Sequence, residues 1–564
     1  MNRFIQIIAI IGFLGAAQFV SAEGGSVPPV QIRLTLDLPQ GENAHEVEAR
    51  VPPLKFDKRL LMSYTLDDDT VTAYCNIFSC INQHWITRGV FFNHLGYPHS
   101  TGFLPEKTLG YSDGTGIEKR FAIGVAVWPQ SGNKWLPNFM DEKKPPTGPY
   151  DPYLKWYEIP TMLDFGCSVY EHDTCTDAIL PPDASKEVRD ASYKDADMIA
   201  RCFPKCLEIT KRNLNGRGFK VLIEPNGNYT YCVAARKFPP IKVVVNQGAG
   251  GKSIKLRPLS MVPDFETSVL ERRFYNNCPI EEEFAHIEKL ASDPDPIWYH
   301  LSTHGASDSI MQLLRLINDR WGKDGSDEVW FATVDEYYEY CFMRKGIRIE
   351  KRVKNDRQVE FLLTIPQDVD FHYQDLSLVV EGLARPELSR ATADTSVYAL
   401  SFAKKEDRLL INVGFNPESP RRAERYVARL EEERSKEAKR DAEYFVSQLR
   451  PELQPPFEKR IAAVSLRQPI EIRKIVVERS DPTRPRERRV IFETDRRPHE
   501  YKACIGWLDP ESVPWVEFDP EKPILVTIPE KSRFLRADNT IDVAVVVRDS
   551  EGESRMVGTT ISAQ

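Results

Sequence analysis

The chain has 564 residues, of which 41% are hydrophobic and 28% charged, and its formal net charge is −8. That length is too great for one ordinary core and implies roughly two to four domains of normal globular composition. The modest acidic balance argues against nucleic acid as the main partner, because phosphate binding needs a basic surface.

The N-terminal stretch "MNRFIQIIAIIGFLGAAQFVSAEGG" sets Arg3 before an apolar run that ends in Val20-Ser21-Ala22. This is the pattern of a secretory signal over residues 1–22, so the mature protein is expected to be exported, periplasmic or extracellular. Nothing after it is apolar for long enough to span a membrane. Nine of the ten cysteines precede residue 342. Cys75 with Cys80, and Cys202 with Cys206, are candidate local disulfides in an exported chain, with buried free thiols as the alternative. No second cysteine or histidine pair stands at zinc-finger spacing.

Residues 23–58 are Pro-rich and extended. From 59 to about 350, short apolar runs such as "RLLMSYTL", "RFAIGVAVW", "FKVLIEP" and "IKVVVN" alternate with helical patterns such as "SIMQLLRLINDRWG". This alternation predicts an α/β sheet or barrel, and residues 23–355 are taken as the domain that holds it. Residues 356–416 read as a small all-β domain. Residues 417–455 read as a charged helical linker with a narrow apolar stripe (Tyr426, Val427 and Leu430, then Ala442, Phe445 and Leu449). Residues 456–564 read as an immunoglobulin- or fibronectin-like β-sandwich.

Four segments carry chemistry. A strand ends in "TLDDD", with Asp67, Asp68 and Asp69. The segment "VYEHDTCTDA" carries His172 and Thr176. "EPNGN" holds Asn226 and Gly227, and "WYHLSTHG" holds His300 and His304. Together, in this order, they resemble the motifs of the polysaccharide deacetylase (NodB homology) family of carbohydrate esterases. The resemblance implies a distorted (β/α) barrel of polysaccharide-deacetylase type, followed here by the small β-domain, the charged helix and the sandwich. It implies that Asp67 is the catalytic base, and that Asp68 and His172 bind a divalent metal ion of the Zn, Co, Ni or Mn class. The third metal position falls on Thr176; Asp173, Asp177, or a histidine elsewhere such as His94 or His99, are further candidates. His304 or His300 is the general acid, and His304 is preferred because it stands where the strand should end. The substrate-binding candidates are Asn226 and Gly227, which also read as a plain Asn-Gly turn. Asp113 joins them from the Gly-rich segment "GYSDGTGIEKRF", which also reads as a surface turn. Trp128, Trp135 and Trp156 are candidates for stacking on sugar rings or for core packing.

The function implied is metal-dependent removal of acetyl groups from a polysaccharide or oligosaccharide. A catalytically inactive glycan-binding protein on the same fold is the alternative. A glycoside hydrolase fits less well, because its two carboxyl groups normally stand several ångströms apart, whereas strand neighbours such as Asp67 and Asp68 point to opposite faces.

Overall fold

The computed structural model describes residues 27–562 except 85, 87–106, 130–139, 141–152, 248–253, 257, 276–277, 295–296, 507–512, 530–534 and 536–537. The signal segment, His94, His99 and Trp135 lie outside the described residues.

Nine strands form the central sheet: β1 (Leu60–Leu66), β2 (Gly124–Val127), β3 (Ser168–Glu171), β4 (Val221–Ile223), β5 (Val243–Asn246), β6 (Val269–Glu271), β7 (Arg273–Phe274), β8 (Tyr299–Thr303) and β9 (Val329–Phe331). β1 and β5 are buried at every residue, as strands covered on both faces must be. Every pairing is parallel. Parallel neighbours need long crossovers, and helices such as Ala196–Asn213, Ile280–Ala291 and Asp308–Trp321 supply them.

The strand order is β6-β5-β4-β3-β2-β1-β8-β7. One edge of β1 is shared: its last residues pair with β2 and its first with β9. The two ends of the order, β6 and β7, are separated in the chain by Arg272 alone. The sheet therefore curls into a nearly closed barrel. Between β2 and β3 the approach is close enough to require glycine: a Cβ on Gly124 would stand 1.9 Å from the Tyr170 ring.

Two expected boundaries shift. The small β-unit draws strands from both sides of the barrel sequence. Val30–Asp37 lies between Gln358–Ile365 and Arg390–Ala393, and Glu48–Arg50 pairs with Asp375–Glu381. A cut at 356 would fall inside the hairpin of Arg348–Asn355 with Gln358–Ile365. Nor is 417–455 a linker. It forms two helices, Glu418–Glu433 and Lys436–Ser447, broken at Arg434 (φ 55°). Their apolar stripe joins the barrel's own core, where Phe165 packs 4.8 Å from Phe445 and 5.6 Å from Tyr426. Beneath the stripe, the fully buried Asp441 meets His84 at 2.8 Å and Arg120 at 3.3 Å.

The C-terminal residues form antiparallel sheets of three and five strands around a separate apolar core. All ten cysteines are free thiols, and nine are buried. Among the described residues, no helix is long and apolar enough to cross a membrane.

Candidate active site

The barrel strands are parallel, so their C-terminal ends share one rim, where sites of such barrels are built. The Asp67 N–H still bonds the Thr303 carbonyl at 2.9 Å, as a further rung of the β1–β8 ladder. The ladder then stops, because Asp68 (φ 64°) and Asp69 (φ 50°) are both left-handed. An L-residue held there costs about 1–2 kcal/mol, and aspartate tolerates it better than most. This twist answers the geometric objection to neighbouring carboxylates: both Asp67 and Asp68 now face one imidazole. His172 Nε2 stands 3.3 Å from Asp68 Oδ1 and 3.8 Å from Asp67 Oδ2.

The third aspartate serves the turn. The Asp69 carboxylate is buried and accepts the Trp128 N–H at 2.7 Å, while its backbone carbonyl accepts the Leu154 N–H at 2.6 Å. Burial pushes its carboxyl up to about 7, against the opposing effect of the Trp128 N–H. His172 follows β3 directly. Its Nδ1–H donates to the Ile223 carbonyl at 2.9 Å, which fixes the ring and turns Nε2 toward the aspartates. Burial disfavours charge on this ring, but Asp67 and Asp68 outweigh it and push it up to about 9. Burial would likewise raise Asp68, but the hydrogen bond and charge of His172, with His304, hold it below the usual carboxylate range.

His304 follows β8. Its Nε2 is 3.7 Å from Asp68 Oδ2, its ring lies 4.5 Å from that of Phe274, and half of its side chain is exposed. His300 is placed differently. It points into the barrel, bonded to Thr65 Oγ1 at 2.7 Å and stacked on Trp298 at 4.8 Å. Burial, helped by the charge of Arg272, pushes it well below the usual histidine range, so the ring is neutral.

Sequence reasoning missed Arg272. Its side chain is fully buried, and it donates to Asp67 Oδ1 at 2.7 Å, to the Glu224 carbonyl at 2.9 Å and to Ser302 Oγ at 3.3 Å. The residue that closes the barrel thus also holds Asp67. The second oxygen, Asp67 Oδ2, is buried with no hydrogen-bond partner among the described residues.

Two expected site residues are employed elsewhere. Thr176 begins a short 3-10 turn, fully buried, and its hydroxyl is bonded to Ser192 Oγ. Asp113 is buried as a clasp between barrel and small β-unit. One of its oxygens accepts from the Thr115 and Ile117 backbone, and the other from Ser401 and Asn412. Asn226 (φ 54°) and Gly227 (φ 64°) form an exposed left-handed turn after β4, tied down by the Asn228 amide on the Tyr193 carbonyl at 2.7 Å. Trp128 sits on the same rim, its ring 6.5 Å from that of His172, and its indole N–H is buried without an acceptor among the described residues.

Among the described residues, no group of three or more His, Cys, Asp or Glu side chains is placed to hold a metal ion. The donors nevertheless suit one. A histidine whose Nδ1–H is spent on a carbonyl presents Nε2 as a ligand, and one carboxylate flanked by two imidazoles is a donor set that borderline divalent cations accept.

The model of the family described as "Putative polysaccharide deacetylase" matches residues 40–460, which takes in the barrel, the docked helices and the small β-unit apart from its strand Val30–Asp37. No curated protein matches. A solved structure titled "Structure of FN3tt mut" matches 17% of this chain and 98% of its own at 15% identity and a TM-score of 0.13, a level from which nothing is inferred. With most of its length inside the family match, the chain belongs to the polysaccharide deacetylase family.

Proposed function

We propose that this protein is an exported, metal-dependent hydrolase that removes acetyl groups from a polysaccharide or oligosaccharide. The observation that carries the reading is the setting of Asp67. One oxygen is held by the buried Arg272 guanidinium, while the other has no hydrogen-bond partner among the described residues and borders His172 beneath the half-exposed Asp68. A carboxylate held this way keeps one oxygen free to accept a proton from water. Export rests on the N-terminal signal pattern.

In the reaction, the bond from the acetyl carbon to the sugar nitrogen or oxygen breaks and water supplies the new hydroxyl. Acetate leaves, and the sugar keeps a free amine or alcohol. A divalent cation would polarise the carbonyl and acidify the water. Asp68 and His172 would hold that cation. Asp67 takes the water's proton, and Arg272 keeps it aimed. His300, kept neutral by burial and walled in by Thr65 and Trp298, carries no imidazolium proton to donate. The leaving atom therefore receives its proton from His304 or from Asp67 returning the one it took. Trp128 and the Asn226–Gly227 turn lie on the rim where a sugar ring would rest.

The test is acetate release from a panel of N- and O-acetylated glycans by metal-loaded protein. Activity is expected to disappear in Asp67→Asn and after chelation. No acetate from any glycan would end the reading. The engagement of Thr176 with Ser192 favours a second reading, a glycan-binding protein without turnover. That reading expects sugar affinity that survives Asp67→Asn and no stoichiometric metal.

A further inference from the structure

We propose that His304, from the end of β8, is the third ligand of the metal centre, taking the place that the motif pattern assigns to Thr176. The inference rests on the metal-dependent reading above and specifies how this chain completes the shell.

Three candidates beside His172 are committed elsewhere. The Thr176 hydroxyl is bonded to Ser192. Asp173 Oδ1 accepts from the Tyr231 hydroxyl and from the Thr174 N–H. Asp177 is paired with Arg189 at 3.1 Å. Among the described residues, His304 has no such commitment. Its Nε2 approaches Asp68 Oδ2 at 3.7 Å, while His172 Nε2 approaches Oδ1 of the same carboxylate at 3.3 Å. With metal–ligand bonds of about 2.0–2.2 Å, neighbouring donors in a shell stand about 3.0–3.5 Å apart. The His172 separation is already in that range, and His304 needs only a few tenths of an ångström of inward movement. Half of its side chain is in solvent and its ring lies against Phe274, so little packing opposes that movement.

The assignment changes the proton route. An imidazole nitrogen bound to metal cannot donate a proton, so His304 is not the general acid. The proton that Asp67 takes from water returns from Asp67 to the departing nitrogen or oxygen, and the carboxylate is regenerated. One carboxyl serves as base and then as acid.

The test uses the full chain, stripped of metal and titrated with Co²⁺ alone, read by calorimetry and by visible d–d absorption. The wild type is expected to bind one Co²⁺ per chain. Removing an outer partner of a ligand typically weakens metal affinity about 10- to 100-fold. Loss of a ligand should match the upper end, so His304→Ala, Asp68→Asn and His172→Ala should each weaken binding about 100-fold or more. His304→Cys should keep the metal and add a thiolate-to-cobalt charge-transfer band, which also answers the case in which the alanine variant fails to fold. If His304→Ala binds Co²⁺ as the wild type does while Asp68→Asn and His172→Ala lose it, His304 is not a ligand and the deacetylase reading stands without this inference. If the wild type binds no stoichiometric metal, the inference falls together with the metal-dependent reading.

Discussion

Arg272 and Asp67 form a buried pair whose members are close to useless apart. Both are shut off from water, and the contact is 2.7 Å. Breaking such a pair from one side leaves an uncompensated buried charge and typically costs about 3–5 kcal/mol. Arg272→Met is therefore expected to destabilise the fold by about that much and to abolish acetate release. Adding Asp67→Asn should recover part of the stability, with a coupling of about 1–3 kcal/mol in a double-mutant cycle read by urea unfolding. Additive losses would mean that the pair is not a unit. At this scale the site was half legible. Asp67, Asp68, His172 and His304 each follow an apolar run, and a parallel barrel gathers strand ends on one rim. Arg272 was hidden because "LERRF" holds two adjacent arginines that face opposite ways. Arg273 turns outward to Glu283 at 2.9 Å, and which of the two turns inward depends on the register of a very short strand. The setting of Thr176 was not legible because spacing along a loop does not say which way the loop folds, and here its hydroxyl is bonded to Ser192.

Among the elements, the barrel strands were readable because burial on both faces demands unbroken apolar runs, and "IKVVVN" and "RLLMSYTL" supply them. The turn after a strand was less readable, since the left-handed pair Asp68–Asp69 comes from local bonds to Ala126, Trp128 and Leu154, all distant in sequence. The broken helix had a signal in Ser435, whose hydroxyl caps the Ala438 N–H at 3.0 Å, but the helix-favouring residues on both sides concealed it. The β2–β3 contact offers a sharp test. An alanine at Gly124 would place its Cβ 1.9 Å from the edge of the Tyr170 ring, whose hydroxyl holds the Val334 N–H at 2.8 Å. Overpacking of this kind costs about 1–3 kcal/mol, so Gly124→Ala should lower the urea midpoint accordingly. In a Tyr170→Leu background the same alanine should cost less. An equal cost in both backgrounds would show that the clash is not with that ring.

For the whole molecule, the domain plan was legible as a sequence of patterns but not as a set of bodies. Val30–Asp37 read only as part of a Pro-rich, extended stretch because its partners, Gln358–Ile365 and Arg390–Ala393, lie beyond the entire barrel. The join between barrel and small β-unit also carries a pH dependence. The His372 N–H bonds Glu339 at 2.8 Å, and its carbonyl accepts the Asn416 amide at 2.9 Å. Burial, with the nearby charges of Arg217, Lys220 and Lys211, pushes its ring down to about 2. The unfolded chain takes up this proton below about pH 6.5 while the fold refuses it, so stability is full above that pH and is lost as the pH falls toward the folded value. Between pH 6.5 and 5 the loss from this one ring is about 2 kcal/mol, and His372→Gln should show correspondingly less acid sensitivity in urea unfolding. Identical pH slopes would mean that the ring protonates freely in the fold.

The C-terminal sandwich stands apart from all of this. Its core, with Ile472, Val490, Val543, Val545 and Val547, is separate from the one shared by barrel, small β-unit and docked helices, and the family match stops at residue 460. The helices must stay, because Tyr426, Leu430 and Phe445 complete the barrel's own core. The boundary therefore falls after the last residues that pack on that core, Val464 and Leu466, and after the Arg467 N–H that bonds the Arg434 carbonyl at 2.7 Å. A chain ending at Gln468 should keep the thermal transition of the barrel body, its Co²⁺ binding and its acetate release from a soluble oligosaccharide. Residues 469–564 made alone should show their own cooperative unfolding. Loss of Co²⁺ binding in the shortened chain would make the sandwich part of the site. Loss confined to polymeric substrate would instead make it the surface that holds the polymer against the rim where Asp68 is exposed.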